Sequence, residues 1–128
     1  MSNPKRNILI IDDDDDDCIF LQESLYAVGL VDGVQYITET DEALRFLSET
    51  RSLPALIILD VNMPKMNGME LLAIIKRKYS VSVILYTTTC SDELILQSKK
   101  MGAIDCIKKG NCFADNLEFA KKVLEIVG

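Results

Sequence analysis

Three short, unbroken apolar runs, Ile8 to Ile11, Ala55 to Leu59 and Val83 to Tyr86, constrain most what this chain can fold into. A strand with one wet face alternates polar and apolar residues, whereas one covered on both faces is apolar throughout. The runs therefore predict three central strands of a sheet with layers on both sides. Gly33 to Thr38 and Ala103 to Ile107 are mixed in character and suit its edges.

The intervening stretches carry helical period. Cys18, Leu21, Leu25 and Val28 fall at i, i+3, i+7 and i+10, one apolar face of a first helix that can stop at Gly29. Asp41 to Glu49 reads as a second. A third starts near Asn67, with Glu70 three residues on as a variant of the capping box, and runs to about Tyr79. The fourth has Ser91 as N-cap, Asp92 and Glu93 in its first turn, Lys99 and Lys100 in its last and Gly102 just beyond, each matched to the helix dipole or cap. The last places Phe113, Leu117, Ala120, Leu124 and Val127 on one stripe. The expected fold is α/β: five β-α units, a parallel doubly wound sheet with helices on both faces and right-handed crossovers. Order 2-1-3-4-5 puts the mixed strands at the edges and the apolar ones in the centre. Ligands in such sheets lie beyond the carboxyl ends of the strands, at the switch point between strands 1 and 3.

The residues at those ends are distinctive. Strand 1 runs into Asp12 and Asp13, the first of six consecutive aspartates, and strand 3 ends at Asp60. Sharing one crevice, the three carboxylates would repel one another, and a hard divalent cation, magnesium by preference, removes that cost. Asp14 to Asp17 are read as a solvated turn capping the first helix. Strand 4 ends at Thr87, followed by Thr88 and Thr89, and strand 5 leads to Lys108 and Lys109. A hydroxyl and an ammonium at neighbouring strand ends suit the oxygens of a phosphoryl group.

Composition narrows the function. At 128 residues, one domain over 1–128 is expected, with 1–6 a flexible start and any output domain elsewhere. A formal charge of −6 disfavours direct binding to nucleic acid or anionic lipid. Tyr26, Tyr36, Tyr79 and Tyr86 show no stacking pattern for nucleic acid. No apolar run is long enough for a signal peptide or a bilayer crossing, so a cytoplasmic protein without membrane insertion is expected. Cys18, Cys90, Cys106 and Cys112 lack C-x-x-C spacing and read as reduced thiols. The chain has no histidine, which removes Ser/His and Cys/His nucleophile pairs.

Together, Ile8 to Asp13, the D-x-x-M-P-x-M-x-G stretch from Asp60 to Gly68, Val83 to Thr87 and Gly102 to Gly110 resemble the receiver domain of two-component response regulators, in order and over nearly the whole chain. The resemblance implies a flavodoxin-like fold and a phosphoacceptor switch, not a conventional enzyme. It further implies that Asp60 is the phosphoacceptor, that Asp12, Asp13, Asp60 and the backbone carbonyl of Asn62 hold Mg²⁺, and that Thr87 and Lys109 grip the phosphoryl oxygens. The donor phosphohistidine must then belong to another protein, a histidine kinase or histidine phosphotransfer protein, with an unknown protein target downstream. Asn62 and Thr89 occupy positions that influence phosphoryl lifetime in that family, and Pro64 and Gly68 shape the turn after strand 3.

Two positions depart from the pattern. Cys106 stands where an aromatic is usual, which reads as a small core residue with weaker or rerouted coupling to Thr87. Gly110 follows Lys109 in place of a proline that is typically cis. A cis bond here would cost about 2.5–4 kcal/mol, so the loop is either trans and rearranged or strained. The main alternative is a receiver-like interaction module that works without phosphorylation. A haloacid-dehalogenase-type phosphatase needs a second aspartate where this chain has Asn62, and a flavodoxin-type phosphate loop is incompatible with the acidic block after strand 1.

Overall fold

The computed structural model describes residues 6–63 and 67–128. The flexible start expected over 1–6 falls almost wholly outside these residues, as does Pro64 with the turn expected of it. The order is β1 (Ile8–Ile11), α1 (Asp15–Ala27), β2 (Val34–Ile37), α2 (Thr40–Glu49), β3 (Leu56–Leu59), α3 (Gly68–Lys78), β4 (Val83–Thr87), α4 (Asp92–Lys100), β5 (Cys106–Lys108) and α5 (Phe113–Val127). All strand pairs are parallel, in the order β2-β1-β3-β4-β5.

Strand pleating divides the core. Ile8 and Ile10 of β1, Leu56 and Ile58 of β3, and Ile84 and Tyr86 of β4 pack with Cys18, Leu21 and Leu25 of α1 and Phe119, Ala120 and Val123 of α5. Their neighbours Leu9, Ile11, Ile57, Leu59, Val83 and Leu85 turn the other way, towards α2 and α3 and the partly buried Leu94 and Ile95 of α4. Every residue of β1, β3 and β4 is buried, as their apolar runs require and with Thr87 at the end of β4 included, whereas β2 is only half-buried.

The helix ends follow the local chemistry. Asp14 caps α1 by accepting from the Asp17 amide, Asn67 caps α3 through the Met69 amide, and Ser91 caps α4 through the Leu94 amide. Beyond α1 and α4, Gly29 and Gly102 take φ values of +97° and +103°, which glycine adopts without the Cβ penalty. Two expectations need correction. Of the stripe expected on α5, Ala120 is in the core and Leu124 and Val127 pack against it, but the face is centred on Phe119, Ala120 and Val123 and Phe113 is 52% exposed, because the helix is turned to bring Phe119 flat onto Tyr86. Strand β5 starts at Cys106, since Ala103 is still engaged with the end of α4, its amide donating to the Ser98 carbonyl.

Gly68 is required by space. A Cβ there would lie 2.3 Å from the Val61 Cα and 2.5 Å from the Asp60 carbonyl oxygen, backbone atoms at the end of β3. At Gly29 the same atom would meet nothing within 4 Å, leaving only backbone strain. Urea unfolding should therefore separate the two: Gly29→Ala costs about 1 kcal/mol, and Gly68→Ala about 1–3 kcal/mol from overpacking with added strain at the strand end. Equal costs would mean that the close approach does not dictate the glycine.

Candidate functional site

The register aligns four strand ends. Ile11 pairs with Leu59 and Leu59 with Leu85, so Asp12 and Asp60 leave β1 and β3 side by side while Thr87 closes β4. Ladder-type hydrogen bonds carry the alignment past the strands: the Asp60 amide donates to the Ile11 carbonyl at 3.0 Å and the Lys109 amide to the Thr87 carbonyl at 2.8 Å. Carboxylate oxygens of Asp12, Asp13 and Asp60 all lie within 4.8 Å of one another. Asp12 and Asp60 are buried and Asp13 is exposed, so the cluster is a walled cup with one open side.

Lys109 reaches this cup. Its Nζ lies 2.5 Å from Asp12 Oδ2, 3.1 Å from Asp60 Oδ2 and 3.0 Å from Asp17 Oδ2. The peptide bond to Gly110 is trans, as are all those among the described residues, and the reach of the ammonium is unaffected. The lysine is placed by the bond of its own amide to β4, not by the residue after it. Asp17, expected to be merely solvated, is a partner of Lys109. Nothing in a run of six aspartates marks that one, because the assignment depends on how the first turn of α1 faces β5.

One ammonium serving three carboxylates does not neutralise them. Burial is the largest influence on Asp12 and, with repulsion from Asp60, outweighs the hydrogen bond and charge of Lys109 and the Asp14 amide, raising its pKa to about 6. Burial works against the charged Lys109, but the hydrogen bond and charge of Asp12, then Asp60 and Asp17, more than compensate and hold its pKa above the ordinary value. An all-oxygen set with excess negative charge fits a hard divalent cation and offers nothing to a soft one.

Opposite the acids, the two N–H groups of the Asn62 side-chain amide are shared among Thr87 Oγ1 at 3.2 Å, Thr88 Oγ1 at 3.1 Å and Thr89 Oγ1 at 3.3 Å, while its backbone amide donates to Asp60 Oδ1 at 3.0 Å. Asn62 thereby ties the end of β3 to the β4–α4 loop. That side-chain role was not visible in the sequence, where threonines after a strand are unremarkable. Between α1 and α5 a cleft of about 610 Å³ opens onto the site, lined by Asp12, Asp60 and Lys109 at its floor and by Phe20 and Phe113 nearer the mouth. Both phenylalanines are more than half exposed.

Comparison with known proteins agrees with this geometry. Residues 8–119 match the family model of the response regulator receiver domain. The chain is 35% identical over 118 residues to protein-glutamate methylesterase/protein-glutamine glutaminase 3 of Burkholderia thailandensis, covering 91% of this chain but only 31% of that protein. A similarly named Geobacter sulfurreducens protein is spanned to 28% of its length. Identity to response regulator Rcp1 of Synechocystis sp. is 27% over 134 residues, covering 98% of this chain and 86% of Rcp1. Among solved structures, the phosphorylated cyanobacterial phytochrome response regulator RcpA matches with a TM-score of 0.83 at 26% identity, over 94% of this chain and 92% of that one. The Mn²⁺-bound form of Rcp1 matches with a TM-score of 0.77 at 25% identity, over 91% and 89%.

The raised Asp12 pKa has a signed consequence. Between about pH 4 and 6 the folded protein holds a proton that the unfolded chain has lost, so stability falls as pH rises through this window and stays lower above it. The displacement from the ordinary carboxylate value corresponds to roughly 2–3 kcal/mol. In a metal chelator, the wild type should lose stability between about pH 4 and 6 relative to Asp12→Asn, by roughly that amount. With no histidine, no other side chain ordinarily titrates near pH 6 to mask the difference. Parallel denaturation curves for the two proteins across this range would refute the assignment.

Proposed function

Because the chain belongs to the response regulator receiver family, we propose that Asp60 is the residue on which it receives a phosphoryl group from a partner phosphohistidine. The observation that carries this reading is the buried Asp60 carboxylate, bonded through one oxygen to the Lys109 ammonium and through the other to the Asn62 amide.

An Asp60 oxygen attacks the phosphorus, the phosphorus–nitrogen bond of the donor breaks, and the leaving imidazole takes up a proton from water. Two anions must approach, so the work of the protein is neutralisation and positioning. Lys109 supplies positive charge beside the acceptor oxygen. Thr87 already accepts from Asn62, which leaves its own O–H to donate to a phosphoryl oxygen. Asp12, Asp13 and Asp60, with the backbone carbonyl of Asn62, would hold Mg²⁺, which when bound offsets the charge on the transferring oxygens. The cleft between α1 and α5 is the route by which a donor imidazole reaches Asp60, its exposed Phe20 and Phe113 offering apolar surface to the kinase or phosphotransfer protein. The aspartyl phosphate would draw Thr87 inward and change the surface formed by α4, β5 and α5, which a downstream protein then reads. No helix among the described residues is long and apolar enough to cross a membrane.

Intact mass after incubation with acetyl phosphate and Mg²⁺ tests the reading. One phosphoryl group is expected on the wild type, none on Asp60→Asn and none in chelator. Lys109→Ala should label about 10²-fold or more slowly, as for loss of a group that stabilises developing charge. A folded, metal-binding wild type that takes no phosphoryl group from acetyl phosphate or from its cognate kinase would favour the phosphate-independent interaction module instead.

A further inference from the structure

Two of the four cysteines meet. The Sγ atoms of Cys90 and Cys106 are 3.5 Å apart, and the Cys90 thiol also donates to the Cys106 carbonyl at 3.4 Å. The other two are isolated from them: Cys18 is buried with its thiol directed at the Asp12 carbonyl, and Cys112 is exposed beside Asp115. Cys90 lies in the β4–α4 loop, three residues beyond Thr87 and next to the Ser91 cap of α4, and it is partly exposed. Cys106 is buried at the start of β5, paired with Leu85 of β4. An oxidant in solution therefore meets Cys90 first, with a second thiol already behind it.

We infer that Cys90 and Cys106 form a reversible redox site, closed to a disulfide by a hydroperoxide, that restrains the β4–α4 loop and so controls acceptance of the phosphoryl group; the control, though not the disulfide, rests on the function proposed above. In the first step the Cys90 thiol releases its proton to solvent, the thiolate attacks a peroxide oxygen and the O–O bond breaks, giving a sulfenic acid and a hydroxide that takes that proton up as water. In the second the Cys106 sulfur attacks the Cys90 sulfur and the S–O bond breaks; hydroxide leaves with the Cys106 proton as water. Two thiols lose two electrons and hydrogen peroxide is reduced to two waters, or an organic hydroperoxide to an alcohol and one water. A dithiol reductant reverses the reaction by exchange.

The placement of the pair gives the bond its effect. Residues 91–105 between the cysteines contain all of α4; at its far end the Ala103 amide closes back on the helix's own Ser98 carbonyl, and the next residue ties the chain to the sheet through the Ile104 amide on the Val83 carbonyl. A disulfide at the near end anchors the helix at both ends. It also fixes the segment carrying Thr88 and Thr89 where Asn62 holds it, opposing the inward movement of Thr87. Burial, followed by the neighbouring Cys90, pushes the Cys106 thiol up to about 12 and keeps it from competing for peroxide; what fits it to close the disulfide is its position, 3.5 Å from the Cys90 sulfur.

The test treats the reduced full-length chain with hydrogen peroxide, traps remaining thiols and maps peptides without reduction. Expected is a loss of about 2 Da and a Cys90–Cys106 linked peptide, absent in Cys90→Ser, retained in Cys112→Ser and reversed by dithiothreitol. Oxidised wild type should then accept phosphoryl from acetyl phosphate about fivefold or more slowly than reduced, with Cys90→Ser indifferent to peroxide. Over-oxidation of Cys90 without a link, or a link through Cys112 between chains, overturns the site. A link that leaves the labelling rate unchanged overturns the control. A reduced protein that takes no phosphoryl group from acetyl phosphate or from its cognate kinase would count against Asp60 as acceptor, while the mapped peptide would still decide the disulfide.

Discussion

Repulsion among carboxylates at the end of a buried sheet is the constraint around which this molecule is organised. Asp12 and Asp60 are held at the carboxyl ends of adjacent strands by the β1–β3 register, and Lys109 answers them from the opposite side of β4. The ammonium is shared with Asp17, so the centre keeps an excess of negative charge even when every ion pair is made. The apolar layers on both faces supply the stability that tolerates this arrangement. A site that is electrostatically unfinished is one that a cation or a phosphoryl group can change.

How much of this was legible depends on range. The three apolar runs announced buried parallel strands, and edge character gave their order, because pleating and burial act residue by residue. Asp12, Asp13 and Asp60 could be found because a strand end is a short-range landmark. What escaped needed helix rotation or loop path. The stripe read for α5 ran through Phe113, but stacking of Phe119 on Tyr86, rings 3.8 Å apart, turns the helix. Asp17 was lost among identical neighbours, and the Asn62 side chain bridges positions more than twenty residues apart. Cys90 and Cys106 meet only because the loop after β4 folds back over β5.

The two departures from the family pattern turn out differently. Gly110 does not disturb the lysine, whose backbone is tied to Thr87, but it lets the start of α5 settle closely: a Cβ there would fall 2.0 Å from the Asp115 Cβ. Asp115 then accepts from the Asn111 amide and fastens the loop. Cys106 is a core residue, as its size suggested, yet its small side chain also leaves room for the Cys90 thiol alongside.

The Asn62 amide has two protons and three threonine hydroxyls within 3.3 Å. One acceptor is always surplus. Were Thr87 to leave for another oxygen, as proposed, Thr88 and Thr89 could each retain one proton, so no donor would be stranded. The redundancy separates loop movement from hydrogen-bond loss, as a ratchet tooth lets a pawl pass without lifting the spring. Energy that would otherwise go into breaking a contact stays available to whatever draws the threonine in.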